Sequence, residues 1–181
     1  QKPAVAEANK RANLKVTDEQ LTEQVKKYQE QELIRVFTAM KKVGGRPVVD
    51  YLFKYSADKN NSEERRKASL AALEGRVDKN NKADIDKLTA IAKDDSTPDS
   101  VRDLVFARFG ELPKEQVTAR MYELFEASQK WKVRWVAASL VLKTITTKDL
   151  DGFMSKLPKV PTVKMGLSEP VTYGDLIRKM E

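Results

Sequence analysis

Apolar residues recur three and four residues apart along most of this chain, and residues that stop helices separate the apolar segments. Such a spacing places side chains on one face of an α-helix, whereas a half-buried strand alternates at every second residue. The breaks fall at Gly44-Gly45, Gly75, Pro98, Gly110 and Pro113. Only seven Gly and seven Pro occur in 181 residues, and most lie between the periodic segments. We therefore expect an all-α fold.

Capping signals divide the periodic region into eight helices. Thr17-Asp18-Glu19-Gln20 is a capping box, so the first helix should begin there and run to Gly44, with a bend or break in the polar stretch 29–32. Residues that favour a helix start mark five later helices: Pro47, Ser62, Pro98, Pro113 and Thr147. The seventh helix, from about Lys130, is the most apolar and is expected to be central.

Three of the predicted helices share a register. When the third, fifth and seventh helices are aligned on Arg66, Arg102 and Arg134, apolar residues fall at matching positions. The matching sets are Ala68, Leu104 and Val136; Leu70, Phe106 and Ala138; and Leu73, Phe109 and Val141. The three arginines are 36 and 32 residues apart, and each interval encloses a second helix. The repeating unit is therefore a helix pair at a period typical of helical-repeat proteins.

This repeat resembles HEAT repeats. Val101-Arg102 and Val133-Arg134 match the Val-Arg step that is common early in the first helix of such units. Asp99 and Glu63 each supply an acidic residue three positions before the aligned arginine, and Trp131 stands at the corresponding position of the third unit as a departure from the pattern. Tetratricopeptide repeats are the alternative helical repeat, although their Trp, Gly and Tyr spacing is not found.

The resemblance covers about residues 62–157 and extends less clearly over 28–61. It implies a right-handed α-α superhelix of antiparallel helix pairs, with residues 17–157 as the helical-repeat domain. Residues 1–16 are polar and Ala-rich and are expected to be a flexible or linker segment. Residues 158–181 are expected to be a C-terminal extension with a short final helix. Because the chain begins with Gln rather than Met, we expect a processed mature protein or a piece of a larger one.

Composition limits the chemistry available to this chain. With no Cys and no His, the sequence excludes disulfides, thiolate nucleophiles, zinc fingers and iron–sulfur clusters, and it lacks the usual general base. The Asp-Lys-Asn-Asn segments at 58–61 and 78–81 lack the Gly and the final Glu of an EF-hand loop, so we expect turns there. We expect no enzyme activity, no cofactor and no metal site.

The sharpest candidate site is the run of basic and aromatic residues from Lys130 to Trp135. In one interpretation Trp131 stacks against bases while Lys130, Lys132 and Arg134 contact phosphates. In the other, Trp135 lies in the core, Arg134 pairs with a carboxylate of a neighbouring repeat, and the lysines are solvated. The second is favoured because Trp131 and Trp135 share a helix face, which is more often interior.

Arg102 and Arg108 complete the candidate binding surface. The net charge of +7 and the pI near 9.4 would favour an acidic partner, such as nucleic acid, an anionic membrane or an acidic protein surface. No stretch approaches the roughly 20 apolar residues of a membrane span, and the N-terminus lacks a signal segment, so we expect a soluble chain with cytoplasmic and extracytoplasmic locations both open.

The resemblance implies scaffolding or partner binding along an extended surface. We therefore expect a non-catalytic protein–protein interaction or scaffold module within a larger protein or complex. The alternative is a nucleic-acid-binding protein with a basic concave face, similar to HEAT-like DNA glycosylases. A purely structural spacer is a third hypothesis.

Overall fold

The computed structural model describes residues 2–11, 17–128, 130–143, 145–156, 163–164 and 170–171. Within these ranges the chain forms nine helices and one pair of two-residue strands. The helices are α1 (Lys2–Arg11), α2 (Asp18–Val43), α3 (Arg46–Ala57), α4 (Glu63–Ala72), α5 (Lys82–Lys93), α6 (Asp99–Phe109), α7 (Lys114–Ala127), α8 (Trp131–Leu142) and α9 (Thr147–Lys156). Strands β1 (Val163–Lys164) and β2 (Pro170–Val171) pair antiparallel, with Val163 opposite Val171. The predicted all-α class is confirmed.

The chain divides into two compact units, Gln1–Arg76 and Val77–Glu181. Helices α1 to α4 belong to the first unit, and α5 to α9 with the strand pair belong to the second. Helix α1 lies in the segment that we predicted to be flexible or a linker. The predicted final helix of the C-terminal extension lies outside the described residues.

In the first unit, the predicted capping box starts α2. The Thr17 hydroxyl accepts a hydrogen bond from the Gln20 amide at 3.2 Å, and the Gln20 side-chain oxygen accepts one from the Thr17 amide at 3.0 Å. The helix then runs unbroken for 26 residues to Gly44. The predicted break at 29–32 is wrong, because the Gln and Glu residues there are good helix formers and their polarity alone does not interrupt the backbone.

Helices α2, α3 and α4 enclose the core of the first unit. Its buried apolar side chains are Phe37, Val49, Leu52, Phe53, Leu70, Ala72 and Leu73. Helix α4 ends at Ala72 rather than at Gly75, which adopts a φ of +64° in the turn beyond it. At the end of α2, Gly44 adopts a φ of +71°, and the Arg76 guanidinium donates to the Lys41 carbonyl at 2.6 Å. This arginine satisfies a carbonyl that the end of α2 leaves without a helical partner.

In the second unit, α5 packs against α6 and α7, and α7 packs against α8. The largest fully buried side chains of its core include Leu88, Phe109, Met121, Leu124, Phe125 and Phe153. Helix α8 buries one face, which carries Val133, Ala137, Ala138 and Val141, while Trp135 is only half-buried. An ionic contact joins α5 to α7, since Glu123 accepts hydrogen bonds from Lys93 at 2.8 Å and Arg120 at 3.1 Å. These bonds lower the pKa of Glu123 below its ordinary value.

The predicted repeat corresponds to a repeated packing role for two of the three arginines. Helices α5 and α6 begin 36 residues after α3 and α4, and α7 and α8 begin 32 residues after α5 and α6. Arg66 and Arg102 are buried, and each Nε donates to the carbonyl ten residues earlier, at the end of the preceding helix. The acceptors are Ser56 at 2.9 Å and Ala92 at 3.1 Å. Each arginine therefore ties its helix to the one before it, so in the packed pairs α3–α4 and α5–α6 the arginine lies in the second helix. The predicted position of this arginine in the first helix of the unit is wrong, because each arginine helix packs against the helix before it.

The two Asp-Lys-Asn-Asn segments form turns, as predicted. Asp58 accepts hydrogen bonds from the amides of Asn60 and Asn61, through its side chain and its carbonyl respectively. Asp78 accepts hydrogen bonds from the amides of Asn80 and Asn81 in the same way.

Among the helices of the described residues, none has both the length and the apolar character that crossing a membrane requires.

Candidate functional site

The two lysines of the predicted cationic surface lie at the start of α8, and one of them lies beside acidic side chains. Lys130 is the residue that precedes α8, and its ammonium contacts the main-chain carbonyl oxygen of Asp95. The Lys132 ammonium lies 3.1 Å from the Asp103 carboxylate and 4.0 Å from the Asp99 carboxylate. Because Lys132 lies close to two carboxylates of the same unit, this edge carries mixed charge rather than a continuous cationic track.

Arg102 and Arg108 lie in the interior instead of on that surface. Arg102 is 2% exposed, and besides Ala92 its guanidinium donates to the Asp94 carbonyl at 2.6 Å and to the Asp99 carboxylate at 2.8 Å. Arg108 is 6% exposed, and it pairs with Glu111 at 2.9 Å. A ligand in solution therefore has little access to either guanidinium.

Arg134 differs from the two arginines with which it aligns. It is half-buried, its Cζ lies 5.1 Å from the centre of the Phe125 ring, and within the described part of the chain its Nε has no hydrogen-bond partner. The predicted pairing of Arg134 with a carboxylate is thus replaced by a cation–π contact. The side chain of Trp131 lies outside the described residues. Of the predicted set, Arg102 and Lys132 both contact the Asp99 carboxylate, at 2.8 Å and 4.0 Å.

A second surface, which we did not predict, lies in the first unit. Among the described residues, the exposed large apolar side chains are Tyr28, Val36, Val43 and Tyr51 in this unit, and Met154 in the other. Val43 is 79% exposed, and the other three are between 38% and 47% exposed. We call Tyr28, Val36, Val43 and Tyr51 the α2–α3 surface. Single exposed apolar residues are common, but a group on two packed helices is typical of an interaction site.

Aromatic contacts hold the α3 side of this surface in place. The buried Phe37 of α2 meets the Tyr55 ring edge-on, with ring centres 5.2 Å apart, and Tyr55 lies 4.9 Å from Tyr51. The Tyr51 hydroxyl donates a hydrogen bond to the Tyr55 hydroxyl at 3.3 Å. This bond, with a smaller contribution from burial, raises the pKa of Tyr51 above its ordinary value. Tyr51 is therefore an ordered aromatic side chain with a polar tip, as interfaces often use.

The α2 side of the surface is a stripe along the helix. At 100° and 1.5 Å per residue, Tyr28, Val36 and Val43 lie within about 80° of arc and span about 22 Å. By the same arithmetic, the buried Phe37 lies about 100° from Val36 and about 180° from Tyr28, and Glu32 lies within the arc between Tyr28 and Val36. The stripe therefore lies on a different side of α2 from the side that Phe37 buries.

The cations near the α2–α3 surface are of two kinds, those with an ion-pair partner and those without one. The paired cations are Arg35 with Glu32, Lys41 with Glu74 and Arg46 with Asp50. Lys42 and Lys54 are exposed, and within the described chain neither has an ion-pair partner. Lys42 precedes Val43, and Lys54 follows Tyr51 by three residues on α3, which makes them neighbours on the helix surface. Residues 1–76 carry 16 Lys and Arg against 11 Asp and Glu, whereas residues 77–181 carry 18 against 16.

The periodicity of α2 did not separate the covered part of its apolar face from the uncovered part. The apolar residues of α2, among them Tyr28, Val36 and Phe37, recur at roughly the spacing of one helical face, but of these three only Phe37 is buried. The available signal was the angle around the helix, because Phe37 lies about 180° from Tyr28 and about 100° from Val36.

In the described ranges, no group of three or more Asp or Glu residues is arranged to hold a metal ion. The chain was also compared with protein-family models, with curated proteins and with solved structures, and none of these comparisons gave a match.

Proposed function

We propose that this protein is a non-catalytic interaction module that binds a protein partner through the α2–α3 surface of its first unit. The observation that carries the proposal is the exposure of Tyr28, Val36, Val43 and Tyr51 on two packed helices. Burying such side chains against a partner removes apolar area from water and so favours association. The rigid aromatic contact between Tyr51 and Tyr55 also lowers the conformational entropy lost on binding.

We further propose that the helices are arranged as a HEAT-like, right-handed array of antiparallel pairs. Three pairs, α3–α4, α5–α6 and α7–α8, recur along the chain at intervals of 36 and 32 residues. The buried arginines at equivalent positions of the first two pairs support a common origin of the units. An experimental structure in which successive pairs do not stack side by side would refute this arrangement.

Site-specific photo-crosslinking tests the interaction directly. A photoreactive phenylalanine analogue is placed at Val36 or Tyr51 of the full chain, and at Glu64 of α4 as a matched exposed control. After irradiation in an extract of the source cells, we expect a discrete protein adduct from positions 36 and 51 and none from position 64. Equal labelling at all three positions, or no adduct at 36 and 51, would contradict the proposed binding surface.

The alternative, nucleic-acid binding, rests on the net charge of +7 and on Lys130 and Lys132. The two carboxylates beside Lys132 and the burial of Arg102 and Arg108 argue against it. Fluorescence anisotropy with a labelled DNA duplex and a single strand, from about 50 to 200 mM salt, separates the two hypotheses. We expect no saturable binding. Tight binding that weakens steeply with salt would favour the nucleic-acid hypothesis instead.

A further inference from the structure

We infer that the partner of the α2–α3 surface is a second copy of this chain, whose own α2 packs antiparallel along the exposed stripe of α2. This inference rests on the proposed function and adds the identity of the partner. The stripe belongs to an 11-residue repeat. Eleven residues make about three turns of helix, so residues 4, 7 and 11 positions further on return to the same side. The members of this repeat in α2 are Leu21, Val25, Tyr28, Glu32, Val36, Ala39 and Val43.

The first unit covers only the beginning of this repeat. Leu21 and Val25 are half-buried, and from Tyr28 onward every apolar member is exposed. Helix α3 packs on another side of α2, where Tyr55 contacts Phe37. An apolar repeat that continues along a helix without cover is typical of a helix that pairs with another helix of the same repeat.

The open part of the repeat is self-complementary. In an antiparallel pair related by a two-fold axis, residues at equal distances on either side of the axis face each other. Tyr28 and Val43 lie eight and seven residues from Val36, or about 12 Å and 10 Å along the helix. An axis beside Val36 therefore places Tyr28 of each copy against Val43 of the other, and Val36 against its own copy.

The charges of the stripe are compatible with the same register. Glu32 faces Ala39 of the other copy, whose small side chain leaves room for a carboxylate. Arg35 pairs with Glu32 at 2.6 Å, so the two residues together add no net charge. The two Arg35 side chains meet near the axis with a Glu32 on either side, about 4.5 Å and 6 Å away along the helix. This cluster of four charges is neutral, and Lys42 lies opposite Gln29 rather than opposite a lysine.

Sedimentation of the purified full chain from about 1 to 200 μM tests the inference, and we expect a monomer–dimer equilibrium. Val36→Glu places two carboxylates at the axis and should weaken dimerisation about tenfold or more. Gln31→Glu is the matched control. It makes the same charge change at an exposed residue about 140° from Val36, so it should change the dimerisation constant less than about twofold. Both variants should keep the wild-type circular dichroism and melting temperature, because both positions are exposed.

Introduced cysteines test the antiparallel register, because the chain has no Cys of its own. A disulfide requires Cα atoms within about 7 Å of each other. In the antiparallel pair the two copies of residue 28 are about 22 Å apart, as are those of residue 43, whereas residue 28 faces residue 43. A mixture of Y28C and V43C should therefore form at least about ten times more covalent dimer on air oxidation than either variant alone. Efficient crosslinking of each variant with itself would overturn the antiparallel arrangement.

The outcomes separate this inference from the proposed function. A chain that stays monomeric up to about 200 μM, or a dimer that V36E leaves unchanged, would overturn the second copy as the partner. Photo-crosslinking from position 36 then decides the proposed function. An adduct with a different protein would keep the binding surface, and the absence of any adduct would remove both proposals. A dimer that V36E disrupts and Q31E preserves supports both.

Discussion

Replacing Arg102 with alanine should destabilise the second unit by about 3 kcal/mol. The guanidinium is 2% exposed and donates to the carbonyls of Ala92 and Asp94. The Ala92 carbonyl is left without a helical partner at the end of α5, whereas the Asp94 carbonyl also accepts a hydrogen bond from the Thr97 amide at 3.0 Å. A buried polar group that loses its partner costs about 1–3 kcal/mol, so the Ala92 carbonyl and the lost packing of the arginine stem account for the total. We count nothing for Asp99, because its carboxylate is 56% exposed and would remain solvated.

Urea unfolding followed by tryptophan fluorescence measures this effect in the correct unit, because both tryptophans lie in residues 77–181. Arg102→Lys should lower the free energy of unfolding by about half as much as Arg102→Ala, since one ammonium group cannot reach both carbonyls. Lys114→Ala is the matched control; it removes an exposed cation, and it should stay within about 0.5 kcal/mol of the wild type. A loss below about 1 kcal/mol for Arg102→Ala would show that water or other donors replace the guanidinium, and it would refute the assigned role.

Three other predictions concern the helix ends and one ion pair. Gly44→Ala should lower the thermal stability more than Gly75→Ala does. Both glycines have a positive φ, but only at Gly44 would an added Cβ lie 2.5 Å from the Arg76 guanidinium. Equal losses of Tm in thermal unfolding would contradict this prediction. Thr17→Ala should remove the capping box and cost about 1 kcal/mol in chemical unfolding followed by circular dichroism, and an unchanged midpoint would count against it. The pKa of Glu123 is lowered from about 4.5, so its carboxylate stabilises the fold above that unfolded value and stops doing so as the pH falls through the folded pKa. Glu123→Gln should therefore lower Tm at pH 7, and the difference should disappear at pH values below the folded pKa. A pH-independent difference would argue otherwise.

Helix boundaries were predictable from the sequence because the signals that fix them act within one turn. The capping box at Thr17, the Gly44-Gly45 stop and the starts near Pro98 and Pro113 all agree with the structure. The exceptions are local as well. Helix α1 lacks a clear apolar stripe, and the polar residues at 29–32 continue α2 because polarity alone does not end a helix.

The candidate site was less predictable, because a side chain's role depends on groups that are distant in sequence. The alignment of Arg66 with Arg102 was visible in the sequence, but charged residues are seldom buried, and so Arg102 was assigned to a surface. The carbonyls that bind these arginines lie eight to ten residues earlier, on the other side of a turn. Only the packing of one helix against the other brings donor and acceptor together.

The sequence by itself determined the all-α class, most helix limits and the period of the repeat, since each follows from backbone capping and from apolar spacing within a segment. The tertiary structure decided which charges are neutralised and which apolar residues remain exposed. Periodicity shows that Val36 and Phe37 lie on the apolar side of α2, but it does not show what covers them. That depends on the side of α2 against which α3 and α4 pack, which buries Phe37 and leaves Val36, about 100° away around the helix, in contact with solvent.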